Sequence, residues 1–188
     1  MCLNSEISAN ISKGAIEVIC GSMFSGKTEE LLRRLKRVEL ANIKFVVFKP
    51  DIDKRYDKKK IVSHDKNNIR AIPIKNANEI LALIKNANVV GIDEAQFFDS
   101  RLISICNKLA NSGIRVVISG LDMDSNGKPF GIMPSLLAIA EKITKVHAIC
   151  VACGEDANYS FRINENSQLI NIGEKDKYRP LCRNCFKP

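Results

Sequence analysis

The feature that most constrains this chain is the octapeptide GSMFSGKT, Gly21 to Thr28, which follows the short apolar run AIEVIC and precedes a helical pattern. Gly21, Gly26, Lys27 and Thr28 satisfy G-x-x-x-x-G-K-[ST], the spacing of a phosphate-binding loop. The glycines let the backbone N–H groups of Ser22, Met23, Phe24 and Ser25 turn inward around phosphate oxygens. Lys27 reaches the terminal phosphates, and the Thr28 hydroxyl is placed to ligate Mg²⁺ at the positive end of the helix that follows. Such a loop works only between a strand and a helix, so it predicts its own surroundings.

Those surroundings read correctly. Ala15 to Cys20 is short and apolar apart from Glu17, as expected of a strand buried in a parallel sheet. Leu31, Leu32, Leu35 and Val38 recur at helical spacing, with Arg33, Arg34, Lys36 and Arg37 assigned to the opposite, solvent face. Further buried-strand patterns run over Phe45–Phe48, Asn88–Asp93 and Ile114–Ser119, with helical periodicity over Ala77–Ala87 and Ser100–Ala110. Strand and helix in alternation predict an α/β domain with a parallel sheet and right-handed crossovers. Two stretches break the rhythm and read as mobile: the charge-dense Asp51–Asn68 and the glycine-rich loop Gly120–Gly131.

Asp93 ends the run VVGID, where a carboxylate can hold Mg²⁺ against a nucleotide. Its neighbour Glu94 is the candidate catalytic base: a carboxylate there can face a hydroxyl or water and take its proton as it attacks the γ-phosphate. Phe97 and Phe98 follow, offering either ordinary core or a flat apolar surface for a nucleobase.

Seven cysteines are present, and four form two C-x-x-C pairs, Cys150/Cys153 and Cys182/Cys185, with 28 residues between them. That pattern predicts one tetrahedral Cys₄ zinc site, structural because four thiolates leave no open position. Cys2, Cys20 and Cys106 are left as reduced thiols, with Cys20 expected to be buried. The texture changes near residue 148, which predicts a flexible tail over 1–13, a kinase-type domain over 14–147 and a small zinc-bearing lid over 148–188. The lid proper is expected around Leu169–Tyr178.

Composition excludes whole classes. At 45% apolar and 27% charged residues the chain reads as a soluble globular protein. No apolar stretch approaches the roughly 20 residues of a membrane span, and the first residues lack the basic start and apolar run of a secretory signal, so the expectation is cytoplasmic. The formal net charge of +8 is compatible with an anionic partner, and equally with a solvated basic surface.

Taken together, GSMFSGKT, DKRY at Asp53–Tyr56, SHD at Ser63–Asp65, DEAQFF at Asp93–Phe98, GLDMD at Gly120–Asp124, both C-x-x-C pairs and DKY at Asp176–Tyr178 resemble, in content and order, the thymidine kinases of the bacterial and vertebrate-cytosolic type. The resemblance spans about Gly14–Phe186. It implies ATP-dependent transfer of the γ-phosphoryl group to the 5′-hydroxyl of thymidine or deoxyuridine in pyrimidine salvage for DNA synthesis, with Glu94 as the base. It implies that Asp53, Lys54 and Arg55, and Asp93 through Ala95 and Gln96, join residues 21–28 around the nucleotide and metal. It implies a pyrimidine pocket lined by Met23, Phe97, Leu121, Phe130, Ser160 and Tyr178, with Ser125 at a pocket position and a lid of Leu169, Ile170, Asn171, Ile172 and Gly173 that holds the base through its backbone. A homotetramer is the family's usual state. The chain departs from the family at Ser125 and Asn126, where phenylalanine and arginine are usual, and at Ile132, where proline is. Two other readings stand beside the kinase: a zinc-ribbon ATPase that grips nucleic acid and uses Glu94 to activate water, and an inactive binding protein.

Overall fold

A computed structural model describes residues 14–52, 60–62, 68–163 and 177–187. Its elements in chain order are β1 (Ala15–Cys20), α1 (Lys27–Leu40), β2 (Phe45–Pro50), β3 (Lys60–Val62), β4 (Asn68–Arg70), β5 (Ile72–Ile74), α2 (Glu79–Leu83), β6 (Val89–Ile92), α3 (Arg101–Asn111), β7 (Arg115–Gly120), α4 (Met133–Ile139) and β8 (Lys142–Lys145). Four short strands follow: β9 (Ala148–Ile149), β10 (Asp156–Ala157), β11 (Tyr159–Arg162) and β12 (Tyr178–Leu181).

Six strands form one sheet in the order β5-β2-β6-β7-β1-β8, every neighbouring pair parallel. The apolar runs alternate faces as a sheet covered on both sides requires. Val18, Val116 and Ile118 join Leu102, Ile105, Leu109, Met133 and Leu136 under α3 and α4. Ile19, Val47 and Val117 join Leu31, Leu32, Leu35 and Val38 under α1. The connection from β1 runs through α1 to β2 on one side, and that from β7 runs through α4 to β8 on the other. In an open α/β sheet the crevice for a ligand lies at the carboxyl ends of strands that diverge in this way.

The α/β expectation holds, with local corrections. The helix expected over Ala77–Ala87 is confined to Glu79–Leu83, and Lys85 adopts a φ of 47°, a left-handed conformation that a helix cannot continue through. Arg34 is not on the solvent face of α1. Its guanidinium turns inward, Nη1 lying 2.7 Å from Glu17 Oε2 and Nη2 donating to Thr144 Oγ1 at 2.8 Å, while Arg115 meets Glu17 from the other side at 2.8 Å. Glu17 is the one charged residue of β1, and these two guanidinium groups explain how it is tolerated in the sheet. Burial would raise its carboxyl, but Arg115 and then Arg34 outweigh burial and hold it below the ordinary range.

The loop 120–131, expected to be mobile, is a braced turn. Asp124 Oδ1 accepts from the backbone N–H groups of Asn126 and Lys128 at 2.8 and 2.9 Å, and Met123 bridges to Pro129. The Asp51–Asn68 expectation falls largely outside the described residues. No helix among the described residues is long and apolar enough to cross a membrane.

Candidate active site and cysteine cluster

The residues singled out in the sequence converge at the carboxyl ends of β1, β6 and β7. Behind β1 the chain enters the phosphate loop at Gly21, whose φ is 147° and whose missing side chain matters: a Cβ there would collide with the carbonyl of Val146. Gly26 closes the loop in the left-handed region as the residue before α1. Lys27 is buried and donates from Nζ to the carbonyl of Ser22 at 2.6 Å, while Ser25 Oγ donates to the same oxygen at 2.7 Å. The loop is thus curled around its own lysine, with Thr28 following at the start of the helix.

Asp93 leaves β6 buried, its Oδ1 accepting a hydrogen bond from Ser119 Oγ at 2.6 Å. The register of β6 against β7 pairs Ile92 with Ile118, so Asp93 and Ser119 emerge side by side. Sequence reasoning missed Ser119; its only signal was a hydroxyl at the end of an apolar strand, one position beyond that pair. Glu94 has a φ of 54° and a ψ of 43°, a left-handed conformation that costs a side-chain-bearing residue about 1–2 kcal/mol. It begins a 3-10 turn over Ala95–Phe97, and Gln96 Nε2 donates to Glu94 Oε2 at 2.6 Å.

Two of the expected pocket residues meet directly. The rings of Phe97 and Phe130 pack edge to face with centroids 5.7 Å apart, both half-buried. Leu121 is tied to the turn over Ala95–Phe97 by its backbone N–H, which donates to Gln96 Oε1 at 3.0 Å. Ser125 is half-buried in the turn and Asn126 is exposed. Tyr178 is buried on β12, its hydroxyl accepting from Arg162 Nη2 at 3.1 Å. Asp53, Lys54, Arg55 and the lid residues Leu169 to Gly173 lie outside the described residues.

Close to the phosphate loop, Lys145 at the end of β8 pairs with the buried Asp122 at 2.8 Å, a link unseen in the sequence, and Asp122 raises the lysine. The Cys20 thiol nearby is pushed up to about 11, by burial first and by Asp122 second. It is buried as expected, and so is Cys106.

The Cys150, Cys153, Cys182 and Cys185 sulfurs all lie within 4.8 Å of one another, with Cys153 and Cys182 3.5 Å apart. A tetrahedron with bonds of about 2.3 Å has edges near 3.8 Å, so this donor set fits zinc in size as well as type. The thiols by themselves resist ionising together. Burial raises Cys150, but backbone N–H groups of Cys182, Ala152 and Cys153 more than offset it and bring it to about 6, whereas the Cys182 and Cys153 side chains hold Cys185 up at about 12. A dication lets four thiolates coexist.

The cysteine-bearing segment leans on the phosphate loop at three consecutive residues. Ser22 Oγ donates to the carbonyl of Ala157 at 3.1 Å, Met23 N–H donates to Ser160 Oγ at 2.9 Å, and Phe24 packs against the cluster of Ala148, Cys150, Ala157, Leu181 and Cys182.

A family model described as thymidine kinase matches residues 14–186, nearly the whole of this site-bearing chain. The chain belongs to the thymidine kinase family. Among relatives named thymidine kinase, that of Porphyromonas gingivalis is 56% identical over 178 residues, covering 95% of this chain and 87% of its own length. The Bacteroides fragilis protein is 56% identical over 93% of this chain and 88% of its own, and that of Rhodothermus sp. 52% over 94% and 83%. In this member of the family, Asp93, Glu94 and the phosphate loop lie at the carboxyl edge of one sheet.

Proposed function

We propose that this chain transfers the γ-phosphoryl group of ATP to the 5′-hydroxyl of thymidine, and of deoxyuridine, in pyrimidine salvage. The observation that carries the reading is the placement of Glu94. It follows the metal-type carboxylate Asp93 at the end of β6, two strands from the curled phosphate loop that leaves β1, in a chain 56% identical to named thymidine kinases.

In this reading the loop amides of 21–26 and Lys27 take the β- and γ-phosphates, and Lys27 exchanges the Ser22 carbonyl for phosphate oxygen. Glu94 accepts the proton of the 5′-hydroxyl as its oxygen bonds to the γ-phosphorus. The bond from that phosphorus to the bridging oxygen breaks, and its electron pair leaves with ADP. Thr28 and Asp93 are hard oxygen donors suited to magnesium, which would accompany ATP and offset phosphate charge. Phe97, Phe130 and Leu121 form the wall for the pyrimidine, with Met23, Ser125, Ser160 and Tyr178 and the lid 169–173 completing it, and Asp53 to Arg55 completing the phosphate side. Zinc in the Cys₄ cluster would organise a module over 148–188, distinct from the 14–147 kinase domain. The working enzyme would be a cytoplasmic homotetramer, as the family resemblance suggests.

The test is ADP release in the presence of ATP, Mg²⁺ and a panel of nucleosides, with single-stranded DNA as a separate addition. Thymidine-dependent release supports the kinase. DNA-stimulated hydrolysis without nucleoside dependence would establish the nucleic-acid-binding ATPase instead.

A further inference from the structure

We propose that Gln96 is a positioning residue that locks the catalytic base and the pyrimidine wall into one register, and that its side chain serves Glu94 and Leu121 rather than ATP. The proposal rests on the assignment of Glu94 as base.

The geometry allows one orientation of the amide. A peptide N–H can only donate, so the atom facing Leu121 N at 3.0 Å is Oε1. The NH₂ group is then turned to Glu94 Oε2 at 2.6 Å, donating to a carboxylate that accepts. Gln96 is itself buried, 4% exposed, while Glu94 and Leu121 are half-buried, so the amide reaches both partners from inside the protein. The fit around it is close: a Cβ on Gly120 would stand 2.9 Å from Oε1 and 2.6 Å from Met133 Sδ. Gly120 and Leu121 open the 120–131 loop, and Phe130 near its far end packs on Phe97, the residue after Gln96. One buried amide therefore joins the proton acceptor to the segment that would hold the base of the substrate. A glutamate in the left-handed conformation has its backbone direction fixed at some cost, and the Gln96 bond fixes its side chain as well. Catalytic rates are sensitive to sub-ångström placement of such a group.

The experiment compares the full-length enzyme with Gln96→Met and Gln96→Glu. Three readouts are taken: kcat against thymidine KM, the pH profile of kcat/KM, and direct binding of a fluorescent ATP analogue. Gln96→Met keeps the length and loses both bonds. It is expected to lower kcat about tenfold or more and to raise thymidine KM several-fold, with analogue affinity within about twofold of the parent. Gln96→Glu keeps the size and the acceptor for Leu121, but faces Glu94 with a second carboxylate. Two carboxylates at that distance hold a shared proton, so the acidic limb of its profile is expected to move up by about one pH unit or more while thymidine KM stays near the parent's. Among the described residues Cys20, Lys27, Lys49, Asp93, Asp122 and Lys145 are ionisable groups at this end of the sheet; they are common to all three proteins, so a difference between profiles belongs to position 96.

Parental kcat, KM and profile in both variants would overturn the proposal while leaving the kinase reading intact. A loss confined to analogue binding would overturn it in favour of an ATP contact. An inactive parent would remove the kinase reading and this proposal together. If Gln96→Met melts below assay temperature, the near-isosteric Gln96→Glu profile decides alone.

Discussion

Met23 of the phosphate loop gives its backbone N–H to the hydroxyl of Ser160 at 2.9 Å, across 137 positions of chain. Ser160 is buried on β11, the strand that pairs with β12 just before Cys182, so the nucleotide loop and the cysteine cluster share a support. Removing the acceptor leaves a partly buried N–H unpaired, which costs about 1–3 kcal/mol. Ser160→Ala is therefore expected to weaken binding of a fluorescent ATP analogue by about fivefold or more, whereas Ser160→Thr, which keeps the hydroxyl, stays near the parent. Equal affinities for the alanine variant and the parent would show that the loop stands without this contact.

Through the same support, nucleotide binding is expected to be sensitive to metal. Phe24 packs on a cluster that includes Cys150 and Cys182. Stripping the metal with a strong chelator, followed by metal analysis and analogue titration, is expected to remove one zinc per chain and to weaken the analogue in step with it. Unchanged nucleotide affinity after full removal of the metal would refute the coupling.

Ser125 occupies a half-buried position in the braced turn, and Phe97 and Phe130 already supply an edge-to-face pair. An added aromatic ring near such a pair contributes about 0.5–1.5 kcal/mol. Ser125→Phe is expected to lower thymidine KM about two- to tenfold with little change in KM for ATP. A raised or unchanged thymidine KM would mean the turn carries position 125 away from the base.

The strand carboxylate Glu17 sets an acid limit on stability. Arg115 and Arg34 hold it below its ordinary 4.5, and Glu30, bonded first by Arg33 and then by Arg34, lies at about 2. Both are lower folded than unfolded, so their contribution is complete above 4.5 and is lost as pH falls from there toward the folded values. Breaking a buried ion pair at one partner costs about 3–5 kcal/mol. Urea midpoints are expected to show Glu17→Gln well below the parent at pH 7, with the gap narrowing by pH 3. A gap independent of pH would assign the loss to packing rather than charge.

The phosphate loop, the Asp93–Glu94 pair and the four cysteines were legible because each is a local string whose spacing is its mechanism. Four sheet strands were legible for a related reason: burial on both faces writes a continuous apolar run. β8 was not, since KITK is an edge strand with lysines at both ends and carries no such run. Helical periodicity puts Arg34 on the wrong face because it sorts residues by hydrophobicity, and an inward guanidinium is revealed only by the carboxylate on another element that receives it. Ser119, Asp122 with Lys145, and the double role of Gln96 share that limitation. Each joins residues from separate strand ends, Gln96 through its bond to Leu121, and only the sheet order and register place them together.

The central claim is that ATP gives its γ-phosphoryl group directly to a 5′-hydroxyl whose proton Glu94 accepts. Its most direct test follows label from [γ-³²P]ATP with thymidine and with 5′-deoxythymidine, using the parent enzyme and Glu94→Gln. Label should enter thymidine monophosphate with the parent and thymidine only, and Glu94→Gln should keep analogue binding while losing about a hundredfold or more in turnover. Label appearing as inorganic phosphate regardless of nucleoside, or transfer by Glu94→Gln at near the parental rate, would contradict the account.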